Sequence, residues 1–141
     1  MTNFGERLKE LMLENNLTTI KLGESVGVTS SNVSKWYLRS ADVSLSTLIK
    51  LSEYFDCSIE FLSGRLEIDS IKTKNSDEAF LPHIKKIMEE NKISEYRLTK
   101  DLNLSRNVFQ QWRKGSQPRL SSLAKIADYL NCSIDYLVGR E

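Results

Sequence analysis

Three side chains that can form paired hydrogen bonds lie close together in the sequence: Arg106, Asn107 and Gln111. Asn107 and Gln111 are four residues apart, so on an α-helix they share a face. Phe109 and Trp112 fall on the opposite face, at the spacing of a buried stripe. An amide can bind the edge of adenine through two hydrogen bonds, and a guanidinium can do the same with guanine. The pattern therefore predicts a helix that packs through its aromatic side and presents polar groups outward.

The sequence around these residues predicts a helix-turn-helix. Ser94 is predicted to begin a short helix that buries Leu98, and Asn103 with Leu104 forms the following turn. Ser105 is then expected to cap the helix that carries the polar side chains. In such a motif the second helix projects from the domain, so residues near its N-terminus can reach base edges in a DNA groove.

The same elements occur twice in the chain. Segments 45–65 and 120–140 carry identical residues at 11 of 21 positions. Upstream the offset between the copies changes from 75 to 76, so one additional residue is expected in the first copy between Trp36 and Leu45. We predict five helices in each copy and hence an all-α fold of two tandem helix-turn-helix domains. Their expected bounds are 1–67 and 77–141, joined by a linker over 68–76.

The first copy differs from the second in its turn residues. Gly27 permits a left-handed turn, and Thr29 is expected to cap a third helix that buries Trp36. The position that aligns with Gly115 holds Arg39, for which a left-handed conformation is costly. We therefore expect the loop that follows the third helix to differ between the copies.

With these elements both halves resemble the helix-turn-helix domain of the phage repressor and Cro family. The resemblance extends over residues 3–65 and 79–140. It is closer in the second half, through W-x-x-G from Trp112, then Pro118, L-x-x-I-A-x-x-L and S-x-D-Y-L. It implies a repressor-like fold that binds double-stranded DNA. By position, it also implies that the base-reading residues of the second copy are Arg106, Asn107 and Gln111.

The resemblance further implies which side chains contact DNA in each copy. The base-reading positions of the first copy are Ser30, Ser31 and Lys35, which discriminate poorly between bases. Phosphate contacts, which position a protein without specifying sequence, are expected from Thr19, Thr29, Ser105, Lys114, Ser116 and Arg119. The position of Thr19 often holds a phosphate-binding glutamine in the family, and in the second copy it holds Glu95, which would repel a phosphate.

Composition and motifs limit the other classes of function. The net charge of +1 combines −2 over residues 1–67 with +2 over 77–141 and +1 between them, so neither half is strongly basic. Cys57 and Cys132 occupy the same repeat position and are expected to be small buried residues, and two cysteines with His83, a predicted surface residue, are a poor zinc set. We expect no cofactor or metal, no enzymatic activity, no membrane partner, and a cytoplasmic protein encoded by a bacterium or a phage.

Three functions remain open from the sequence. The first is a sequence-specific double-stranded DNA-binding regulator, most simply a repressor, whose tandem domains act as an internal pseudo-dimer on two half-sites. The second is an interaction protein, in which only the second domain reads DNA and the first binds a regulatory protein or another copy of the chain as a homodimer. The third, for which nothing specific argues, is a protein that sequesters other helix-turn-helix regulators without binding DNA.

The connecting segment bears on the first of these functions. Residues 66–76 can extend to at most about 36 Å, which is close to the spacing of about 34 Å between the reading helices of repressor dimers. Leu66, Ile68 and Ile71 are expected to pack on a domain or to form a short strand. Because the two sets of base-reading residues differ, we predict an asymmetric binding site.

Overall fold

The computed structural model describes residues 3–74 and 79–141. Across these ranges every regular element is a helix, which confirms the predicted all-α fold. The chain forms two compact units, Met1–Ile71 and Lys72–Glu141. The end of the expected linker and the start of the expected second domain, residues 75–78, lie outside the described residues.

Over its described residues the first unit folds into five helices. They are α1 (Phe4–Glu14), α2 (Thr19–Val26), α3 (Ser30–Leu38), α4 (Leu45–Phe55) and α5 (Ile59–Leu62). Each begins directly after a polar residue whose side chain accepts a hydrogen bond from the backbone N–H three positions later. These residues are Asn3, Thr18, Thr29, Ser44 and Ser58. The bonds satisfy N–H groups that the first turn of a helix leaves unpaired.

Residues 79–141 of the second unit also contain five helices. They are α6 (Phe80–Glu90), α7 (Glu95–Asp101), α8 (Val108–Arg113), α9 (Leu120–Tyr129) and α10 (Ile134–Leu137). Ser94 and Ser133 cap α7 and α10 in the same way as their counterparts in the first unit. The helices α6, α8 and α9 begin without a side-chain cap. The expected division into five helices per copy is therefore confirmed.

Each unit buries its own core. The fully buried aliphatic side chains are Leu8, Leu22, Val33, Leu48, Leu51, Ile59 and Leu62 in the first, and Ile84, Leu98, Leu123, Ile126, Ala127, Ile134 and Leu137 in the second. One tryptophan anchors each core, because Trp36 and Trp112 are each only 6% exposed. The Trp36 ring lies 5.9 Å from that of Phe4, and the Trp112 ring lies 5.0 Å from that of Phe109. These aromatic contacts hold the third helix of each unit, and with it the outward polar face.

A side chain on the first helix of each unit binds the last helix. The Arg7 guanidinium donates to the carbonyl of Phe61 over 3.1 Å and lies 3.9 Å from the centre of its ring. At the equivalent position His83 Nε2 lies 2.8 Å from the carbonyl oxygen of Tyr136. His83 is thus half-buried and structural rather than a simple surface residue.

The additional residue of the first copy is accommodated just after the third helix. The carbonyl of Lys35 accepts from the N–H of Ala41, whereas the equivalent carbonyl of Gln111 accepts from Ser116, one residue closer. The left-handed position in the first copy is Ser40, with φ 51°, and its counterpart is Gly115, with φ 107°. The alignment of Arg39 with Gly115 was therefore wrong, because Arg39 has φ −120° and the extra residue lies before Ser40.

Substitutions at Ser40 and Gly115 should change the stability of the two units in opposite directions. A left-handed non-glycine residue costs about 1–2 kcal/mol of stability. Glycine avoids this cost, but its greater freedom in the unfolded chain lowers stability by about 0.5–1 kcal/mol. We expect Ser40→Gly to raise the free energy of unfolding of the first unit by about 0.5–1 kcal/mol. Gly115→Ala should lower that of the second by about 0.5–1 kcal/mol, although no atom lies within 4 Å of the added Cβ. Urea unfolding measures both, and a stabilising Gly115→Ala would contradict the conformational argument.

The connecting segment does not form a strand in the residues that the structure describes. Instead, the Asp69 carboxylate accepts from the backbone N–H of Ser58 at 3.0 Å and from its hydroxyl at 2.7 Å, where α5 begins. Leu66 and Ile71 are partly buried, while Ile68 is exposed. The expectation of packing on a domain holds for Leu66 and Ile71, and Asp69 is the contact that sequence inspection missed. The part of the segment that can extend therefore begins after Asp69.

Candidate nucleic-acid interface

The second unit contains the helix-turn-helix predicted from its sequence. The helix α7 ends at Asp101, and Asn103 adopts a left-handed conformation with φ 55°. The N–H groups of Asn103 and Leu104 bond the carbonyls of Lys100 and Thr99, which closes the turn before α8. The equivalent left-handed residue in the first unit is Gly27, with φ 77°.

The expected base-reading residues of the second unit are all exposed, but they begin in a turn rather than in the helix. Because α8 starts at Val108, Arg106 and Asn107 precede it, and Ser105 does not cap it. The Ser105 hydroxyl accepts from the N–H of Asn107 at 3.3 Å instead. The carbonyl of Asn107 accepts from the N–H of Gln111 at 2.9 Å, so these two residues remain one turn apart. Their outward placement agrees with the sequence, while the start of the helix does not.

A glycine in the first unit explains why the two motifs begin their second helix differently. A Cβ at Gly23 would lie 2.5 Å from the carbonyl oxygen of Val28, so only glycine permits this close approach of the backbone. The equivalent residue in the second unit is Thr99, whose hydroxyl donates to the carbonyls of Glu95 and Tyr96. Because Thr99 has a Cβ, the backbone after the turn cannot approach in the same way. We infer that this delays α8 by two residues relative to α3.

Gln110 is an outward residue that sequence reasoning missed. With about 100° per residue, Gln110 and Gln111 lie about 50° to either side of the direction opposite Phe109 and Trp112. Both amides are exposed. The resemblance favoured Gln111 alone, but an angular count on the helix would have found both.

The expected phosphate contacts of the second unit are exposed in a cationic part of the chain. Ser105, Lys114, Ser116 and Arg119 all lie at the surface. Residues 102–127 contain five Lys and Arg and no Asp or Glu, whereas the equivalent residues 26–52 contain three cations and Asp42. The modest net charge of the second half therefore conceals a local concentration of positive charge from the turn of its helix-turn-helix onward.

An ion pair connects the two helices of this motif. Arg113, in the last turn of α8, donates from Nη2 to Glu95 Oε1 at 2.9 Å and from Nη1 to the same carboxylate at 3.2 and 3.3 Å. Glu95 is the first residue of α7. The charge that should repel a phosphate is thus offset by a neighbouring cation. No sequence pattern indicated this pair, because the two residues are 18 positions apart.

A second polar network connects α7 to α9. Tyr129 donates to Asp101 Oδ2 at 2.5 Å, and Arg97 Nε donates to the same oxygen at 3.0 Å. The Tyr129 bond, followed by that of Arg97, lowers the pKa of the Asp101 carboxyl below its ordinary value. Donation of this bond to the Asp101 carboxylate raises the pKa of the Tyr129 hydroxyl. This arrangement holds the first helix of the motif against the core.

The equivalent residues of the first unit are less uniformly exposed. Ser31 and Lys35 are exposed, while Ser30 and Thr19 are half-buried. Thr29 accepts the capping bond from Asn32 at 3.1 Å, which leaves its hydroxyl hydrogen to donate. The six base-reading candidates, three in each copy, therefore lie at or near the surface of their own units.

At the end of the third helix, two cations of the second unit have uncharged counterparts in the first. Leu38, which is 73% exposed, occupies the position of Lys114. Tyr37 occupies the position of Arg113. The first unit thus lacks the cation of Lys114 and that of Arg113, which is paired with Glu95.

A metal centre and a membrane-spanning helix are both absent from residues 3–74 and 79–141. There, no group of three or more His, Cys, Asp or Glu residues could hold a metal ion. Neither Cys57 nor Cys132 forms a disulfide bond, and the first is buried while the second is partly buried. None of the helices in these ranges has the length and apolar character needed to cross a membrane.

Comparison with known proteins identifies the family. A model of the Cro/C1-type helix-turn-helix DNA-binding domain matches the chain twice, over residues 7–62 and 83–141. Because the matches cover most of the chain, the protein belongs to this family and is a DNA-binding transcription regulator. The resemblance drawn from the sequence motifs is thereby confirmed.

Two solved structures are similar to parts of the chain. The P22 c2 repressor protein in complex with synthetic operator 9T is 25% identical, with a TM-score of 0.43 over 45% of this chain and 96% of that one. A transcriptional regulator from Listeria innocua is 24% identical, with a TM-score of 0.43 over 69% of this chain and 83% of that one. Scores this low carry no argument about function. A search of curated proteins gave no match.

Proposed function

We propose that this protein is a sequence-specific regulator of transcription, most simply a repressor, that binds double-stranded DNA through both helix-turn-helix motifs. The second unit supplies the better-defined contacts, through Arg106, Asn107 and Gln111. The observation that carries the proposal is the exposure of these bidentate groups within residues 102–127, which contain five cations, one of them paired with Glu95, and no acidic residue. A regulator of this kind acts where its DNA is, in the cytoplasm of a bacterium or of a phage-infected cell.

The two units would act as an internal pseudo-dimer on two unlike half-sites. The sequence repeat supports this proposal, because it predicts two equivalent domains over residues 1–67 and 77–141. The reading residues differ between the copies, so the half-site of the first unit should contribute less discrimination. Because Asp69 is bonded to Ser58, the chain that can extend between the half-sites is shorter than residues 66–76. We therefore expect the two half-sites to tolerate little variation in spacing.

Alanine substitutions in the two sets of reading residues test the proposal. Arg106→Ala and Gln111→Ala should each weaken binding to the selected DNA site by about 1–3 kcal/mol, because each removes a bidentate base contact. Ser31→Ala and Lys35→Ala should weaken it by less. The site is obtained by selection from a random DNA pool, and affinities are measured by fluorescence anisotropy. If Arg106→Ala and Gln111→Ala bind as the unaltered chain does, this assignment of the reading surface is wrong.

One observation favours a second candidate function, in which the first unit binds a protein instead of DNA. Two exposed aliphatic side chains of the first unit, Leu13 and Leu38, stand where the second unit has Glu89 and Lys114, and the exposed Ile20 stands where it has Tyr96. Exposed apolar groups of this kind are more typical of protein contacts than of phosphate contacts. In that case Ser31→Ala and Lys35→Ala would leave DNA affinity unchanged, and the partner would be a regulatory protein or a second copy of the chain.

A further inference from the structure

The ion pair between Glu95 and Arg113 is a feature that distinguishes the two helix-turn-helix motifs. Its side chains are 33% and 44% exposed, so both groups remain accessible from solvent. The first unit has Thr19 and Tyr37 at the same positions and still forms the same two helices. The pair is therefore not a requirement of the fold.

The pair lies where the motif approaches the DNA backbone. In a helix-turn-helix the first helix crosses the sugar-phosphate backbone while the second enters the major groove. Glu95 belongs to the first of these helices, and Arg113 lies at the end of the second. Within residues 91–127 only Glu95 and Asp101 are acidic, and Asp101 is bonded to Arg97 and Tyr129. Glu95 is thus the acidic group that offsets a cation of the DNA-binding surface.

We propose that Glu95 limits the affinity of the second unit for the DNA backbone by neutralising Arg113. This inference rests on the proposed function, and it names a residue that sets the balance between backbone and base contacts. Two of the three guanidinium nitrogens donate to Glu95, which leaves Nε–H and one hydrogen on each terminal nitrogen. With Glu95 ionised, the pair carries no net charge toward a phosphate. Without that charge, Arg113 becomes one more phosphate contact.

The magnitude of the effect follows from counterion release. Each phosphate that a protein neutralises steepens the fall of log K against log salt by about 0.9. One additional contact therefore corresponds to about eightfold tighter binding at 0.1 M salt, if the two proteins converge near 1 M. Because backbone contacts carry no sequence information, the gain should be the same for any DNA sequence. Glu95 would thus reduce binding to non-specific DNA and leave recognition to the base-reading residues.

Four variants of the full chain test this proposal: Glu95→Gln, Arg113→Ala, the double variant, and the control Glu89→Gln. Glu89 is an exposed carboxylate at the end of α6, so Glu89→Gln makes the same change in net charge elsewhere. Binding to a mixed-sequence DNA duplex is measured by anisotropy over a series of salt concentrations. Circular dichroism and urea unfolding establish that each variant is folded.

The expected results have opposite signs for the two single variants. Glu95→Gln should bind about eightfold more tightly at 0.1 M salt, with a slope steeper by about 0.9. Arg113→Ala should bind more weakly, because the Glu95 charge is then uncompensated, and the double variant should return close to the affinity and slope of the unaltered chain. Glu89→Gln should differ little from it.

Two outcomes would overturn the inference while leaving the proposed function intact. One is an unchanged slope in Glu95→Gln, and the other is an equal gain in Glu89→Gln, which would indicate an effect of overall charge. A purely structural role of the pair would lower stability in both single variants without changing the salt slope in opposite directions. Absence of salt-dependent DNA binding by the unaltered chain would instead overturn the proposed function, and this inference with it.

Discussion

Replacing Trp112 by alanine is expected to unfold the second unit while the first unit stays folded. Removal of a buried tryptophan costs about 3–5 kcal/mol, and a domain of this size rarely has more than about 3–5 kcal/mol of stability in total. Trp112 is 6% exposed and packs at 5.4 Å from the ring of Phe80 and 5.0 Å from that of Phe109. Since α8 is held by these rings, DNA binding through the second unit should be lost.

The two tryptophans of the chain, one in each unit, make this result measurable. In Trp112→Ala, circular dichroism should show that a large share of the helix is missing, while Trp36 fluorescence should report an unchanged urea transition for the first unit. Trp36→Ala is the matched variant, with the roles of the units exchanged. Trp112→Phe, which retains an aromatic ring, should remain folded. A cooperative transition with full helical signal in Trp112→Ala would show that the ring does not anchor this core.

Arg140→Ala is expected to destabilise the second unit almost as strongly. The Asp135 side chain is fully buried and the Arg140 side chain is 7% exposed. Arg140 Nε lies 3.7 Å from Asp135 Oδ1. Removing one partner of a buried ion pair leaves a buried charge and costs about 3–5 kcal/mol. The variant should therefore unfold at much lower urea concentration than the unaltered chain.

The equivalent pair of the first unit provides the comparison for this prediction. Arg65 Nε donates to Glu60 at 2.9 Å, but the Arg65 side chain is 24% exposed, so water can replace part of its interaction. Arg65→Ala should accordingly cost less than Arg140→Ala. Asp135→Asn in combination with Arg140→Ala should recover part of the loss, because the buried charge is removed. An equal loss in the double variant and in Arg140→Ala would argue that packing, rather than charge, is responsible.

The helix starts were the most predictable part of the fold. A hydroxyl or amide side chain before an apolar periodic stretch forms its hydrogen bond with the backbone three residues later, so the bond is local and depends on few distant contacts. Thr18, Thr29, Ser94 and Ser133 act in this way. Ser105 does not, because the backbone after the turn depends on whether position 23 or its counterpart 99 carries a Cβ.

The candidate site was predictable in its residue types but not in its contacts. The amides of Asn107 and Gln111 lie outward as the helical spacing indicated, since that spacing is fixed by 3.6 residues per turn. The pairing of Arg113 with Glu95 required knowledge of how α7 and α8 meet. The same holds for Asp69, whose partner Ser58 lies on another element.

The amino-acid sequence by itself determined that this protein is two copies of one small helical domain. The determining features are local: apolar periodicity, capping side chains and a repeated pattern, each of which acts over a few residues. The tertiary structure alone decided which charged side chains pair with each other. In it the Glu95 carboxylate pairs with the Arg113 guanidinium, and Ser40 adopts the left-handed conformation. The Asp69 carboxylate accepts a hydrogen bond from Ser58 at the start of α5. These contacts join residues that are distant in sequence or depend on a close approach of backbones, so they exist only once the helices have packed.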